Sequence, residues 1–187
     1  MTDNSTLSHV FPDVMVDLET LSTSTTAMIL SIGAVKFNRQ TRQISDDKFY
    51  FTINVQSYPK NVFDIDPSTI LWWLKQSDTA RNDLMKNPRD VKNVLEDFTK
   101  WFGDSVYIWS HGSVFDVVIL ENAMKIFNIP TPWKFYNIRD TRTIYEIGKT
   151  FIMETDRAKG TYHNALDDAI VQTQVLFRAI TNIRKSL

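Results

Sequence analysis

Apolar and polar positions alternate with period two in three stretches near the start of the chain, and then give way to spacings of three and four. Residues 13–19, 28–38 and 47–55 carry the first pattern, which predicts strands. Val14, Val16 and Leu18 share one face of the first strand, and Asp17 and Glu19 share the other. Its Val-rich character suits a central position in a sheet. The connections between the three strands are short, so an antiparallel meander is expected. From residue 66 the period is helical. Asp66 followed by Pro67 is an N-cap and first-turn signal opening "STILWWLKQ". Pro88 separates this helix from the next, where Val91, Val94, Leu95, Phe98, Trp101 and Phe102 recur at helical spacing and Gly103 occupies the C-cap position.

A strand is predicted at "VYIWS", a buried helix at "VFDVVILENAMKIF", a short strand at "KFYNIRDT" and a helix around residues 141–150. A loop runs to about residue 162. The last helix carries Leu166, Ala169, Ile170, Thr173, Leu176, Phe177 and Ile180 on one stripe. The element order is therefore β-β-β-α-α-β-α-β-α-α. Three strands followed by alternation imply an α/β domain, with one mixed sheet and helices on both faces. Residues 1–12 read as an N-terminal arm and residues 13–187 as a single domain.

Composition narrows the possibilities. The 187 residues are 43% hydrophobic, enough for a full core. The formal charge of -1 is no broad basic footprint, which counts against tight non-specific binding along duplex DNA. It leaves room for gripping a few nucleotides at a chain end where bound cations supply positive charge. The absence of Cys excludes disulfides, thiolate metal sites and cysteine nucleophiles. No apolar run approaches a membrane span, and the polar N-terminus does not resemble a secretory signal, so a cytoplasmic protein with no membrane partner is expected.

Three stretches carry candidate chemistry. Asp17 and Glu19 lie two apart on a strand, on one face, where a cation between them would relieve their repulsion. Hard oxygen ligands of this kind suit Mg²⁺ or Mn²⁺. Asp116 lies just beyond the carboxyl end of a strand, where open α/β sheets bind ligands. Ser113 and Asp116 also have the spacing of a capping box, an alternative local use. In "HNALDDA", Asn164 is a candidate N-cap with Asp167 at its third helical position, which leaves Asp168 for metal. His163, five residues before Asp168, is a candidate general base. Trp72 and Trp73 are adjacent on a helix and point about 100° apart, so at most one is expected to face a substrate. Arg142 is either a phosphate contact or a solvated charge, and His9 has no assigned role.

Taken together, "DLET", "GSVFD" and "HNALDDA" resemble the Exo I, Exo II and Exo III motifs of the DEDDh 3′–5′ exonucleases, over about residues 13–180. "STILWWLKQS" and "NIRDTRT" resemble a subgroup that includes phage exodeoxyribonuclease-A-type enzymes and bacterial 3′–5′ exoribonucleases. The chain departs from many members in reading His-Gly-Ser before the Val-Phe-Asp of Exo II, where those members carry Asn. The resemblance implies a ribonuclease-H-like five-stranded mixed sheet. It implies release of nucleoside 5′-monophosphates from a single-stranded or overhanging 3′ end of DNA or RNA. Two divalent cations would be held by Asp17, Glu19, Asp116 and Asp168, with His163 as the base. It further implies that Glu19 and the backbone near Thr20 recognise the terminal 3′-hydroxyl, with Leu21 as a wedge beside the last base; Trp73, His111 and Phe115 are further candidates around the terminal nucleotide, Phe115 having core packing as its alternative. Relatives often dimerise, so a homodimer is an expectation. The alternatives are hydrolysis of very short oligonucleotides or dinucleotides, a polymerase-bound proofreading nuclease, and a catalytically silent nucleic-acid-binding module on the same fold.

Overall fold

The structure is a computed structural model and describes residues 11–156 and 163–186. Five strands form one sheet in the order β3-β2-β1-β4-β5. Strands β1 (Asp13–Thr20), β2 (Ile29–Asn38) and β3 (Gln43–Thr52) are the antiparallel meander. Strands β4 (Tyr107–Ser110) and β5 (Ile138–Asp140) continue the sheet in parallel with β1. The expected fold class is therefore observed. Of the N-terminal arm, residues 1–10 lie outside the described residues. The Pro12 carbonyl accepts hydrogen bonds from the Val106 and Tyr107 amides, which joins the start of β1 to β4.

The described residues form six α-helices: α1 (Pro67–Leu74), α2 (Asp78–Asp83), α3 (Val91–Phe102), α4 (Asp116–Ile126), α5 (Thr141–Ile147) and α6 (Ala165–Ser186). The short helix α2 is one more than the sequence pattern predicts. Its N-cap is Ser77, whose side chain accepts the Ala80 amide. Asp66 caps α1 through the Ser68 amide, as expected. Among the described residues no helix is long and apolar enough to cross a membrane.

The alternation along β1 divides the core in two. Val14, Val16 and Leu18 face a layer built by Val94, Leu95 and Phe98 of α3 and by Val117 and Leu120 of α4. Met15 faces the other way, toward Val175, Leu176 and Ala179 of α6 and Tyr145 of α5. Asp13, Asp17 and Glu19 share that second face by the period of two. Asp13 is fully buried there and satisfied within the protein. Arg39 pairs with it, and the Trp109 indole donates to it at 2.9 Å.

Farther along the same face, Gly33 of β2 stands opposite Asp17. A Cβ on Gly33 would lie 2.1 Å from the carbonyl carbon of Ala165 and from the Leu166 nitrogen. The missing side chain is thus what lets the start of α6 rest on the sheet, beside the carboxylates of β1.

Candidate active site

Three parts of the fold converge on one cleft. Strand β1 supplies Asp17 and Glu19, the loop after β4 leads into α4 with Asp116 at its first turn, and the start of α6 supplies Asp168, with His163 just before it. Glu19, His163 and Asp168 present potential ligand atoms that all lie within 4.8 Å of one another. Asp17 feels the charges of Asp116, Glu19 and Asp168. All five residues expected to act together therefore meet in one place.

Asp116 is 4% exposed, and its Oδ1 accepts the Leu18 amide at 3.2 Å. The β1–β4 pairing ends at Met15–Trp109, and beyond that point Asp116 takes over as an acceptor along β1. The capping-box alternative for Asp116 is not realised. No side chain caps α4, and the Ser113 amide and hydroxyl instead donate to Asp140 Oδ2 at 2.6 and 3.1 Å. At α6 the cap forms as expected, with Asn164 Oδ1 accepting the Leu166 and Asp167 amides at 3.0 and 3.1 Å.

The electrostatics are unfavourable to four bare carboxylates. Burial raises Asp17 well above the usual carboxylate range, and the neighbouring charges of Asp116, Glu19 and Asp168 raise it further. A hydrogen bond from Gln172 Nε2 to Asp17 Oδ1, at 2.6 Å, opposes this. Burial also pushes Asp116 up to about 7, against the Leu18 amide and the Arg142 charge that pull it down. The contrast with Asp13 is chemical. Asp13 has a guanidinium and an indole, whereas Asp17 has three acidic neighbours and one amide. A hard divalent cation is the natural partner of such an oxygen-rich donor set.

Beside the carboxylates opens a cavity of about 420 Å³, lined by Leu18, Glu19, Thr20, Trp72, Trp73 and Phe115 among others. Both tryptophans border it but differ in role. Trp73 is 6% exposed, and its indole donates to the Thr20 carbonyl at 2.9 Å. Trp72 is 42% exposed, and its ring meets the His163 imidazole edge-on at 4.7 Å.

Two residues expected around the same nucleotide line other depressions. Leu21 borders a groove with Leu30, Ile53 and Leu84. His111 borders a cavity with Arg142 and Tyr145, and its Nδ1 lies 2.9 Å from the Thr141 hydroxyl. The sequence reading overlooks Gln172. It lies four residues after Asp168, one helical turn along the same face, a spacing that was available to find it.

The family model for the 3′–5′ exoribonuclease Rv2179c-like domain matches residues 12–180. An exodeoxyribonuclease of Enterobacteria phage T4 is 26% identical, over 72% of this chain and 70% of its own length. The nuclease domain of 3′hExo, a DEDDh family member solved with rAMP, shares the fold with a TM-score of 0.58 at 14% identity, over 92% of this chain and 94% of that one. Exonuclease I gives a TM-score of 0.65 at 13% identity, with 90% of this chain covering 40% of that larger protein. The chain belongs to the Rv2179c-like 3′–5′ exoribonuclease domain family and is a 3′–5′ exonuclease.

Proposed function

We propose that this protein hydrolyses the terminal phosphodiester bond at single-stranded or overhanging 3′ ends of DNA or RNA and releases nucleoside 5′-monophosphates. The observation that carries this reading is the convergence of Asp17, Glu19, Asp116 and Asp168 from three separate elements, with Asp17 held well above its usual ionisation range by its neighbours. Asp17, Glu19 and Asp168 would hold one divalent cation, and Asp17 with Asp116 a second, Mg²⁺ or Mn²⁺ in each case. Bound there, the ions supply charge neutralisation at the scissile phosphate and acidify the attacking water.

The remaining work falls to the chain itself. His163, within ligand reach of Glu19 and Asp168, accepts the proton of the attacking water. The cavity beside Glu19 and Thr20 has the size for one nucleoside. Phe115 and Trp72 offer it ring surface, and Trp73 fixes the Thr20 carbonyl at its rim. Catalysis by positioning then places the last phosphate over the carboxylates. Hydrolysis of dinucleotides is a second reading, favoured by the formal charge of -1, which provides little for a long backbone. Homodimerisation belongs to the same proposal. Ile70, Leu71 and Leu74 of α1 are exposed apolar surface that a second copy would cover.

A time course with end-labelled single- and double-stranded DNA and RNA, and with a dinucleotide, tests the proposal in Mg²⁺ and in Mn²⁺. Mononucleotides should appear from the 3′ end only with metal. Asp17→Ala should abolish their release, and full activity in that variant would remove the metal assignment. His163→Ala should lower turnover more than metal affinity, and a change in metal affinity alone would remove the base assignment.

A further inference from the structure

The start of α6 is gripped from the side by a residue outside the motifs. Asp83 ends α2, and its Oδ2 accepts Asn164 Nδ2 at 2.5 Å and the Tyr50 hydroxyl. Its Oδ1 accepts Lys86 Nζ at 3.1 Å. Asn164 is thereby held at both ends of its amide. The oxygen caps α6 through the Leu166 and Asp167 amides, which leaves the NH₂ group for the carboxylate. Burial alone would raise Asp83, but the hydrogen bonds from Tyr50, Lys86 and Asn164 outweigh it, and the group lies below the ordinary carboxylate range. The grip therefore persists across neutral pH as a charge-assisted contact.

The sheet shows what this contact holds in place. Tyr50, Gly33 and Asp17 are cross-strand neighbours on β3, β2 and β1. The first residues of α6 lie on Gly33, with Tyr50 and Asp83 on one flank and Asp17 on the other. His163 directly precedes Asn164 and has a φ of 61°, a left-handed backbone that is uncommon for a residue with a side chain. Its ring rests against Trp72. A cap alone would satisfy the helix, and the second bond from Asn164 to Asp83 adds a fixed lateral position.

We propose that Asp83 is a positioning residue for His163: by holding Asn164, it fixes the turn that presents the imidazole to Glu19 and Asp168. The inference rests on the general-base reading of His163. Asp83 itself touches neither substrate nor the reacting atoms.

Two variants break the grip differently. Asp83→Ala removes the acceptor. Asn164→Asp keeps a good N-cap but replaces the amide donor with a second carboxylate facing Asp83. Both should lower kcat by about 10- to 100-fold, the scale expected when a reacting group moves by about 1 Å, with KM within about threefold. Asp83→Asn retains an acceptor oxygen and should recover most of the rate.

In a His163→Ala background, Asp83→Ala should cost less than about twofold, because the two residues act as one unit. Independently of activity, the ring-proton resonance of His163, assigned as the signal lost in His163→Ala, should shift in both variants as the imidazole leaves Trp72, while Tm stays within a few degrees. An unmoved His163 resonance in both variants, or an equal loss of rate with and without His163, overturns the proposal. A His163→Ala enzyme with wild-type turnover overturns the base reading instead, and the two failures are thereby distinguished.

Discussion

Buried Asp17 and Asp116 should make the metal-free protein less stable as pH rises, and replacing Asp116 with Asn should remove much of that slope. Burial moves Asp116 from 3.8 to about 7. The folded state therefore binds this proton more tightly than the unfolded chain does. Its contribution is complete below about pH 4 and is lost as pH rises through about 7. At about 1.4 kcal/mol per pH unit, the loss by pH 8 is about 4 kcal/mol. Asp97 and Asp156, which are lowered by their Arg89 and Arg178 hydrogen bonds, act with the opposite sign and only in acid, so they contribute little between pH 5 and 8, and the comparison with Asp116→Asn subtracts what both proteins share. Asp17 is raised in part by the charge of Asp116, and its own cost shrinks in the variant, which adds in the same direction. Asn keeps an acceptor for the Leu18 amide, so the comparison isolates charge.

The assay is thermal unfolding in chelator at several pH values. Wild-type Tm should fall between pH 5 and 8. At pH 8 Asp116→Asn should melt higher by about 8–16 °C, from about 4 kcal/mol at about 2–4 °C per kcal/mol for a chain of this size. Excess Mn²⁺ should stabilise the wild type most at high pH, by about 3 kcal/mol at a hundredfold excess over Kd. A wild-type Tm that rises from pH 5 to 8 in chelator, or a variant with an undiminished slope, would refute the reasoning.

Two other outcomes are expected. Gly33→Ala sets a methyl group 2.1 Å from the backbone of α6, so it should destabilise the fold by about 1–3 kcal/mol and lower turnover at least tenfold, read by unfolding and by mononucleotide release. Gln172→Leu removes the donor to Asp17 Oδ1 and should raise the Mn²⁺ concentration for half-maximal activity about 10- to 100-fold, and an unchanged titration would show that the amide does not orient the ligand.

The legible parts of the sequence were those where one local rule sufficed. The alternation of Val14, Val16 and Leu18 against Asp17 and Glu19 predicts both the strand and its two faces, and the split core follows it. Asp66-Pro67 and Asn164 are read correctly as caps because a cap is a contact within four residues. The third strand is less well placed. It begins at Gln43 rather than near Asp47, because its first half is exposed and carries no clear apolar alternation. Helix α2 is missed because six residues are too few to display a helical period.

Long-range hydrogen bonds account for the rest. Asp83–Asn164 spans 81 positions and Leu18–Asp116 spans 98, and no spacing rule reports such pairs. The stripe expected on α6 was also too narrow, since Gln172 and Val175 are buried with it. A buried Gln is invisible to hydrophobic periodicity even though its partner is the central carboxylate.

The seating of α6 on Gly33 gives the cleft a particular kind of robustness. Main-chain atoms are the same whatever the side chains are, so the gap between strand and helix there acts as a built-in ruler. Exchanging Val175 or Leu176 for another aliphatic residue would alter how the far end of the helix leans, but the near end would still pivot about the same point. The chain can therefore drift in most of its interior while the spacing of its acidic groups stays constant, and the cost of that tolerance is concentrated in one position where any side chain would press on main-chain atoms.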